Sequence, residues 1–362
     1  MERKARTGAV FSLWQNQCEV REFRLRSTVP LNRVSFTAKI IDCLLNKQVL
    51  YNEKSGLILY LLIQSNLRQN GAIAMRVIRA QVMGMCFGVK DALSTVMAME
   101  YPERATVYGQ LVHNGEVSKR IKERGFSMLE ETDRTPAVST PNVVITAHGL
   151  SDKERRSLEA SGKTLIDTTC PLVSRVHQLA KGLQEQAYFV VVVGRKDHVE
   201  VKGIVGDLER FAVVERPEDV LIYPADRIAV VCQTTTPPAL LDFLFETISR
   251  KNVGKEICLV DTICRPTRER QEAVQDLSLR VQALVVVGGK NSNNTRQLRA
   301  LGENSGLPCF QVERASELRP EWFHRFDTVG LTAGTSTLDQ TIDEVYAALA
   351  AMDGAGDATL RK

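Results

Sequence analysis

Six runs rich in β-branched and aliphatic residues punctuate the chain from residue 105 onward: ATVYG (105–109), NVVITA (142–147), FVVVVG (189–194), RIAVVCQ (227–233), ALVVVGG (283–289) and TVGLTAG (328–334). Stretches with helical, amphipathic spacing separate them. Short apolar runs alternating with helical stretches predict an α/β fold with mostly parallel sheets. Polar residues follow the runs: His113, His148, His198, Thr234, Ser292 and Ser336. Ligands of open α/β sheets collect beyond the carboxyl ends of strands, so these side chains are expected to converge.

A larger repeat lies over this alternation. The segments MRVIRAQVMGMCFGVKDAL, GKTLIDTTCPLVSRVHQLAKGL and EICLVDTICRPTRERQEAVQDL each pass from an apolar, strand-like run through a cysteine into a helical run. Cys86, Cys170 and Cys264 are thus 84 and 94 residues apart. One unit used three times predicts three similar lobes, with boundaries near 75–168, 169–262 and 263–348 and a frayed tail at 349–362. Residues 1–74 lack the alternation. The catalytic polypeptide is expected to start at or near Met75, the preceding segment being a dispensable extension or a misassigned start. A transit peptide fits less well, because Glu19, Glu22, Asp42 and Glu53 are unwelcome in one; a small N-terminal domain is the other alternative.

Charge sharpens that division. Residues 1–74 hold eleven Lys and Arg against five Asp and Glu, and the other 288 residues hold 36 against 38. The basic excess therefore belongs to the N-terminal segment, and the main body suggests no nucleic-acid partner. LILYLLI (57–63) is too short to span a bilayer, so no membrane association is expected. No signal-peptide pattern is present. Eight widely spaced cysteines do not form a secreted disulfide scaffold and read as buried thiols or metal ligands, which makes the cytoplasm the expected compartment.

Cys232, Cys258 and Cys309 lie inside strand runs and read as small buried hydrophobes. Cys18 and Cys43 fall in the N-terminal segment and take no role. The three turn cysteines differ, because a helix N-terminus favours a thiolate. Neither the paired spacing of a zinc site nor a ferredoxin run is present. Three thiolates are one short of the four that usually close an iron–sulfur cluster, and would leave one iron open.

Three of the five histidines follow apolar runs, in LVHN, ITAHG and KDHVE. One such histidine is usually structural; three in equivalent places suggest an anion pocket. His177, seven residues after Cys170, is as well read as structural, and His324 as a surface residue. Glu200 follows His198 by two residues, which in an extended loop points both side chains the same way. Burial and nearby negative charge would hold such a carboxyl protonated, as suits a proton donor. GGKNSNNT (288–295), QTTTPP (233–238) and AGTST (333–337) are each ordinary helix caps alone. Together, Ser292, Asn293, Asn294, Thr234 and Ser336 could hold both phosphates of a small diphosphate.

These motifs, in this order, closely resemble the 4-hydroxy-3-methylbut-2-enyl diphosphate reductase (LytB/IspH) family. MCFGV, LVHN, TAHG, DTTCPLVSRVH, HVEVKG, CQTT, DTICRPTRERQEAV, GGKNSNNT and TAGTS carry the resemblance, from about Met75 to about Val345. It implies a cloverleaf of three pseudo-symmetric α/β lobes around one 4Fe-4S cluster ligated by Cys86, Cys170 and Cys264. It implies substrate binding by His113, His148, His198, Thr234, Ser292, Asn293, Asn294 and Ser336, and Glu200 as proton donor. The implied reaction is reductive dehydroxylation of (E)-4-hydroxy-3-methylbut-2-enyl diphosphate to isopentenyl and dimethylallyl diphosphates, the last step of the non-mevalonate isoprenoid pathway, with the substrate hydroxyl at the open iron. Ferredoxin or flavodoxin is the implied electron donor. The rival readings are a non-redox 4Fe-4S lyase of the quinolinate-synthase type and a non-enzymatic zinc or cluster-binding module. The chain departs from the family pattern at Phe87, where a small residue is usual, at Val199 in place of Pro, in the loss of the neighbouring His in GRKDHVEVKGI, and at Asn293 in place of Ser.

Overall fold

The computed structural model of the protein describes residues 75–130 and 138–352. Its twelve described strands form three four-stranded sheets, and every ladder between them is parallel. One sheet contains β2 (Ala105–Val107), β3 (Ser127–Met128), β4 (Asn142–Ile145) and β5 (Thr164–Asp167), in the order β3-β2-β4-β5. The next contains β6 (Phe189–Val193), β7 (Phe211–Val214), β8 (Arg227–Cys232) and β9 (Glu256–Leu259), in the order β7-β6-β8-β9. In the last, β10 (Ala283–Val287), β11 (Cys309–Val312) and β12 (Thr328–Ala333) are joined by β1 (Arg76–Arg79), in the order β1-β12-β10-β11.

Read from β11, the third order matches the other two position for position. Its fourth strand comes from the beginning of the described chain: Arg76 faces Thr328 and Arg79 faces Leu331. The expected lobe 75–168 is therefore corrected, since 76–79 complete the sheet of the third lobe, about 250 residues away in sequence. A parallel neighbour need not be close in sequence, because hydrogen bonding at an open strand edge selects only for register and polarity. The tail expected from 349 also begins too early. The last helix runs Asp339–Ala351, and Leu349 is buried against β10 and β12. The N-terminal segment 1–74 and residues 353–362 lie outside the described residues.

The inner strands are apolar throughout because helices cover both faces. Val191 and Val193 pack with Leu241, Leu244 and Ile248 on one face of the second sheet, whereas Val190 and Val192 pack with Val176, Ala180 and Ile204 on the other. Each such fully buried aliphatic side chain contributes about 1.5–3 kcal/mol. This two-sided burial turns a strand's alternating pattern into a continuous run.

The helix after each thiol packs into the next lobe. Helix α1 (Phe87–Met97) buries Ala92 and Val96 against Val107, α4 (Pro171–Glu185) buries Val176 and Ala180 against Val190, and α7 (Arg265–Ser278) buries Val274 and Leu277 against Leu284. Each cysteine is thus a joint: its strand belongs to one lobe and its helix to the following one. Further contacts close the seams. Asp207 accepts from the N–H groups of Asp152 and Lys153 at the start of α3 (Asp152–Ala160), tying the second lobe to the positive end of a first-lobe helix. Gly289 of the third lobe lies so close to the first that a Cβ there would sit 2.5 Å from the His113 carbonyl oxygen.

Candidate functional site

The three thiol turns are built alike. Cys86, Cys170 and Cys264 are the N-caps of α1, α4 and α7, and none of the three side chains is spent on a cap bond. Their backbone N–H groups donate to Thr335 (3.1 Å), Ala147 (3.1 Å) and Thr234 (2.9 Å), the residues that follow strands β12, β4 and β8. Each sulfur is thereby held beside the polar loop that follows the neighbouring strand. Gly88 permits the close packing: a Cβ there would lie 2.4 Å from Cys170 Sγ.

One cavity receives all of this. It is lined by Cys86, Cys170 and Cys264 and by His113, His148, His198, Glu200, Thr234, Ser292, Asn293, Asn294 and Ser336, which are all the residues singled out from the sequence. His177 is outside it, wedged between Gly149 and Gly203 at the seam of the first two lobes, and His324 is on the surface. Cys232 is buried against Thr262, as expected of a small hydrophobe, whereas Cys258 and Cys309 are only half-buried, the latter packed on Gly302.

At Cys170 and Cys264 burial outweighs the helix-terminus effect. Desolvation pushes Cys264 up to about 11 and raises Cys170, although backbone N–H groups pull both the other way. The helix N-termini thus favour the thiolates as expected, but burial is the larger effect. A metal supplies the missing positive charge and deprotonates such thiols outright. Three thiols on one cavity, outside any disulfide and held by matching backbone bonds, fit a metal cluster with three protein ligands.

The histidines form the opposite feature. Their ring centroids lie 4.4 Å (His113–His148), 5.1 Å (His113–His198) and 5.5 Å (His148–His198) apart. One ring nitrogen from each falls within 4.8 Å of the others, a spacing open to an ion of either sign. Charge decides between them. Burial holds His113 down at about 4 and His198 at about 3, and the guanidiniums of Arg195 and Arg296 push both in the same direction. The two guanidiniums place positive charge beside the rings, which favours an anion there over a cation. His198 Nδ1 accepts the N–H of Glu200 (3.2 Å) as the N-cap of α5 (Val199–Val205), so the neutral ring carries its proton on Nε2.

Glu200 is 2% exposed, and the Thr234 N–H donates to its Oε1 at 2.7 Å. Burial raises its carboxyl to about 7, against the pull of the Thr234 backbone and hydroxyl. The group is therefore a proton donor and acceptor near neutral pH. Around it the small polar residues are already engaged. Ser292 caps α8 (Asn293–Asn304), Asn294 Oδ1 accepts from the Thr335 N–H at 3.0 Å, and Ser336 Oγ donates to the His113 carbonyl at 3.2 Å. Asn293 Nδ2 donates to Thr235 Oγ1 at 2.9 Å across the seam of the second and third lobes.

Thr235 and Thr267 also line the cavity and were not singled out from the sequence. The QTTTPP motif contained Thr235, and the step of three from Cys264 to Thr267, one helical turn, was the available signal for the second. Thr267 Oγ1 lies 3.0 Å from Cys264 Sγ. Phe87, by contrast, stands 47% exposed at the cavity's edge, and Val199 is buried at the first position of α5.

The LytB protein family matches residues 77–350. The 4-hydroxy-3-methylbut-2-enyl diphosphate reductase of Caldanaerobacter subterraneus subsp. tengcongensis is 33% identical over 287 residues, covering 77% of this chain and 98% of the relative. That of Burkholderia pseudomallei is 36% identical over 286 residues, covering 77% and 90%. A solved structure of the reductase described as the terminal enzyme of the non-mevalonate pathway is 33% identical, with a TM-score of 0.56 over 76% of this chain and 99% of that one. The Plasmodium falciparum reductase, 24% identical, shares the fold with a TM-score of 0.70 over 76% and 87%.

Proposed function

The chain belongs to the LytB family, and from that premise we propose that it reduces (E)-4-hydroxy-3-methylbut-2-enyl diphosphate to isopentenyl and dimethylallyl diphosphates. The observation that carries this reading is the meeting of three thiols, three histidines and one protonatable carboxyl on a single cavity. A lyase of the quinolinate-synthase type would share the thiols, but the family match favours the reductase. In balance, the allylic C–O bond breaks, two electrons and two protons are consumed, and water leaves. An external one-electron carrier such as ferredoxin or flavodoxin is the proposed source of the electrons, and the cytoplasm the proposed compartment.

Cys86, Cys170 and Cys264 would hold a 4Fe-4S cluster, which supplies the electrons and a Lewis-acidic iron next to the hydroxyl. His113, His148 and His198 would donate ring N–H groups to the diphosphate, with Arg195 and Arg296 providing the surrounding positive potential. Ser292, Asn293, Asn294, Ser336 and Thr234 would line the remaining wall and fix the allyl group's direction. Glu200, protonated to a large extent at neutral pH, would give its proton to the departing oxygen. The second proton, delivered to one end or the other of the allyl unit, yields the two isomers. Anchoring the distant diphosphate turns binding energy into orientation at the reacting carbon.

An anaerobic assay with the allylic diphosphate and an external reductant tests this. Reductant-dependent formation of both isomers is the expected result. Conversion without reductant would point to the lyase, and no conversion by cluster-containing protein would refute the proposal.

A further inference from the structure

Arg270 lies in α7 and is 4% exposed, yet among the described residues its guanidinium hydrogen-bonds to no carboxylate. Nε and Nη2 donate to the carbonyl of Gly84 at 3.0 and 2.7 Å, and Nη1 donates to the carbonyl of Pro266 at 2.9 Å. Gly84 is two residues before Cys86, and Pro266 is two residues after Cys264. One side chain therefore ties the loop of Cys86 to the first turn of the helix that Cys264 caps, although 186 residues separate Arg270 from Gly84. Glu269, its neighbour in sequence, also acts on Arg270, but its Oε1 accepts from Arg265 Nε at 2.6 Å on the exposed side of the helix.

Two neutral carbonyls accept three hydrogen bonds from the guanidinium but do not balance its charge. Buried charges are normally paired, because an isolated ion in the interior pays a desolvation cost that nothing returns. Burial indeed works against the Arg270 cation, and the groups that work for it most strongly are Cys86 and Cys264. Metal ligation makes both of those positions anionic. The folded chain thus carries a buried cation whose counter-charge is the loaded cluster.

We propose that Arg270 is the charge-compensating, positioning residue of the cluster: it ties the Cys86 loop, through Gly84, to the first turn of the helix capped by Cys264 and favours the cluster's more negative, reduced state. The inference rests on the reading of the three cysteines as cluster ligands. An electron added beside a fixed, desolvated cation is stabilised by it, so removing the cation lowers the reduction potential.

The test compares the cluster-containing protein with its R270Q and R270K variants, reading iron per chain after anaerobic purification and the cluster midpoint potential by a spectroscopic redox titration. R270Q should carry less iron and titrate at a more negative potential than the parent. R270K keeps the charge and loses the two-pronged grip on Gly84, and it should keep the parent's potential with at most a modest loss of iron. If R270Q matches the parent in both readings, the proposal is overturned. It is overturned as well if R270Q and R270K lose iron equally, or shift the potential equally, because geometry and not charge would then be responsible. Failure of the ligand reading shows separately, as full iron content in C170S.

Discussion

The backbone N–H of Thr234 donates to Glu200 Oε1 at 2.7 Å, inside a wall where that carboxyl is 2% exposed. The bond fixes the carboxyl, and burial outweighs its pull on the group's acidity. Because the carboxyl titrates at about 7, its acid form dominates below that pH and is lost above it. Glu200→Gln keeps the shape and removes the proton. Turnover should fall by ~10²–10⁴-fold while the cluster's absorption spectrum stays unchanged. In the parent, the rate of a single turnover should decline as pH rises through 7. Near-normal turnover of the variant would remove Glu200 from the reaction.

The thiol geometry makes a second expectation. Cys170→Ser deletes one sulfur from the wall and should abolish stable cluster incorporation, read as iron per chain. Gly88→Ala leaves every sulfur in the sequence but introduces a Cβ that would sit 2.4 Å from Cys170 Sγ. The thiol has to move, so Gly88→Ala should also lower iron content while its far-ultraviolet circular dichroism matches the parent's. Full iron in the Ala variant would mean that the Cys170 loop yields without cost.

His113 and His198 have folded pKa values of about 4 and about 3, below the ordinary 6.5. Their neutral forms belong to the fold, so this contribution to stability is complete above 6.5 and is lost as pH falls toward those values. A bound diphosphate reverses the preference, since anionic oxygens favour imidazolium. Inorganic pyrophosphate should therefore bind with uptake of protons near pH 6, and it should raise the melting temperature more at pH 6 than at pH 8. Calorimetric titration in buffers of different ionisation enthalpy measures the uptake. Binding without proton uptake would leave these rings neutral in the complex.

The inner strands were legible in the sequence because burial on both faces removes the polar alternation from runs such as Phe189–Val193 and Ala283–Val287. The edge strands were less so. Ser127–Met128 has two residues, and the exposed Glu256 and Thr164 break the apolar runs of β9 and β5. The site residues could be read one by one, since residue types and spacing identify a thiol turn or a capped loop. What spacing could not give was the charge balance around them. Arg195 and Arg296 act on the histidines from different lobes, and Arg270 reaches Gly84 across 186 residues. The pairing of β1 with β12 was hidden for the same reason: nothing local in RVIR names its partner.

That pairing leads to an expectation about where the working polypeptide begins. Strand β1 is the fourth strand of the third sheet, its Ala80 N–H donates to the Leu331 carbonyl at 2.8 Å, and Met75 is buried with Val329 and Leu331. It also leads directly into the loop that holds Cys86. A chain beginning at Met75 keeps all of these contacts and should match the full chain in iron content and melting temperature. A chain beginning at Gln81 leaves the edge of β12 unpaired and the Cys86 loop without its strand. It should lose the cluster and either aggregate or melt well below the parent, because an open apolar strand edge is both a lost ladder and a site for association. Equal iron content in the two shortened chains would show that the third lobe closes without β1.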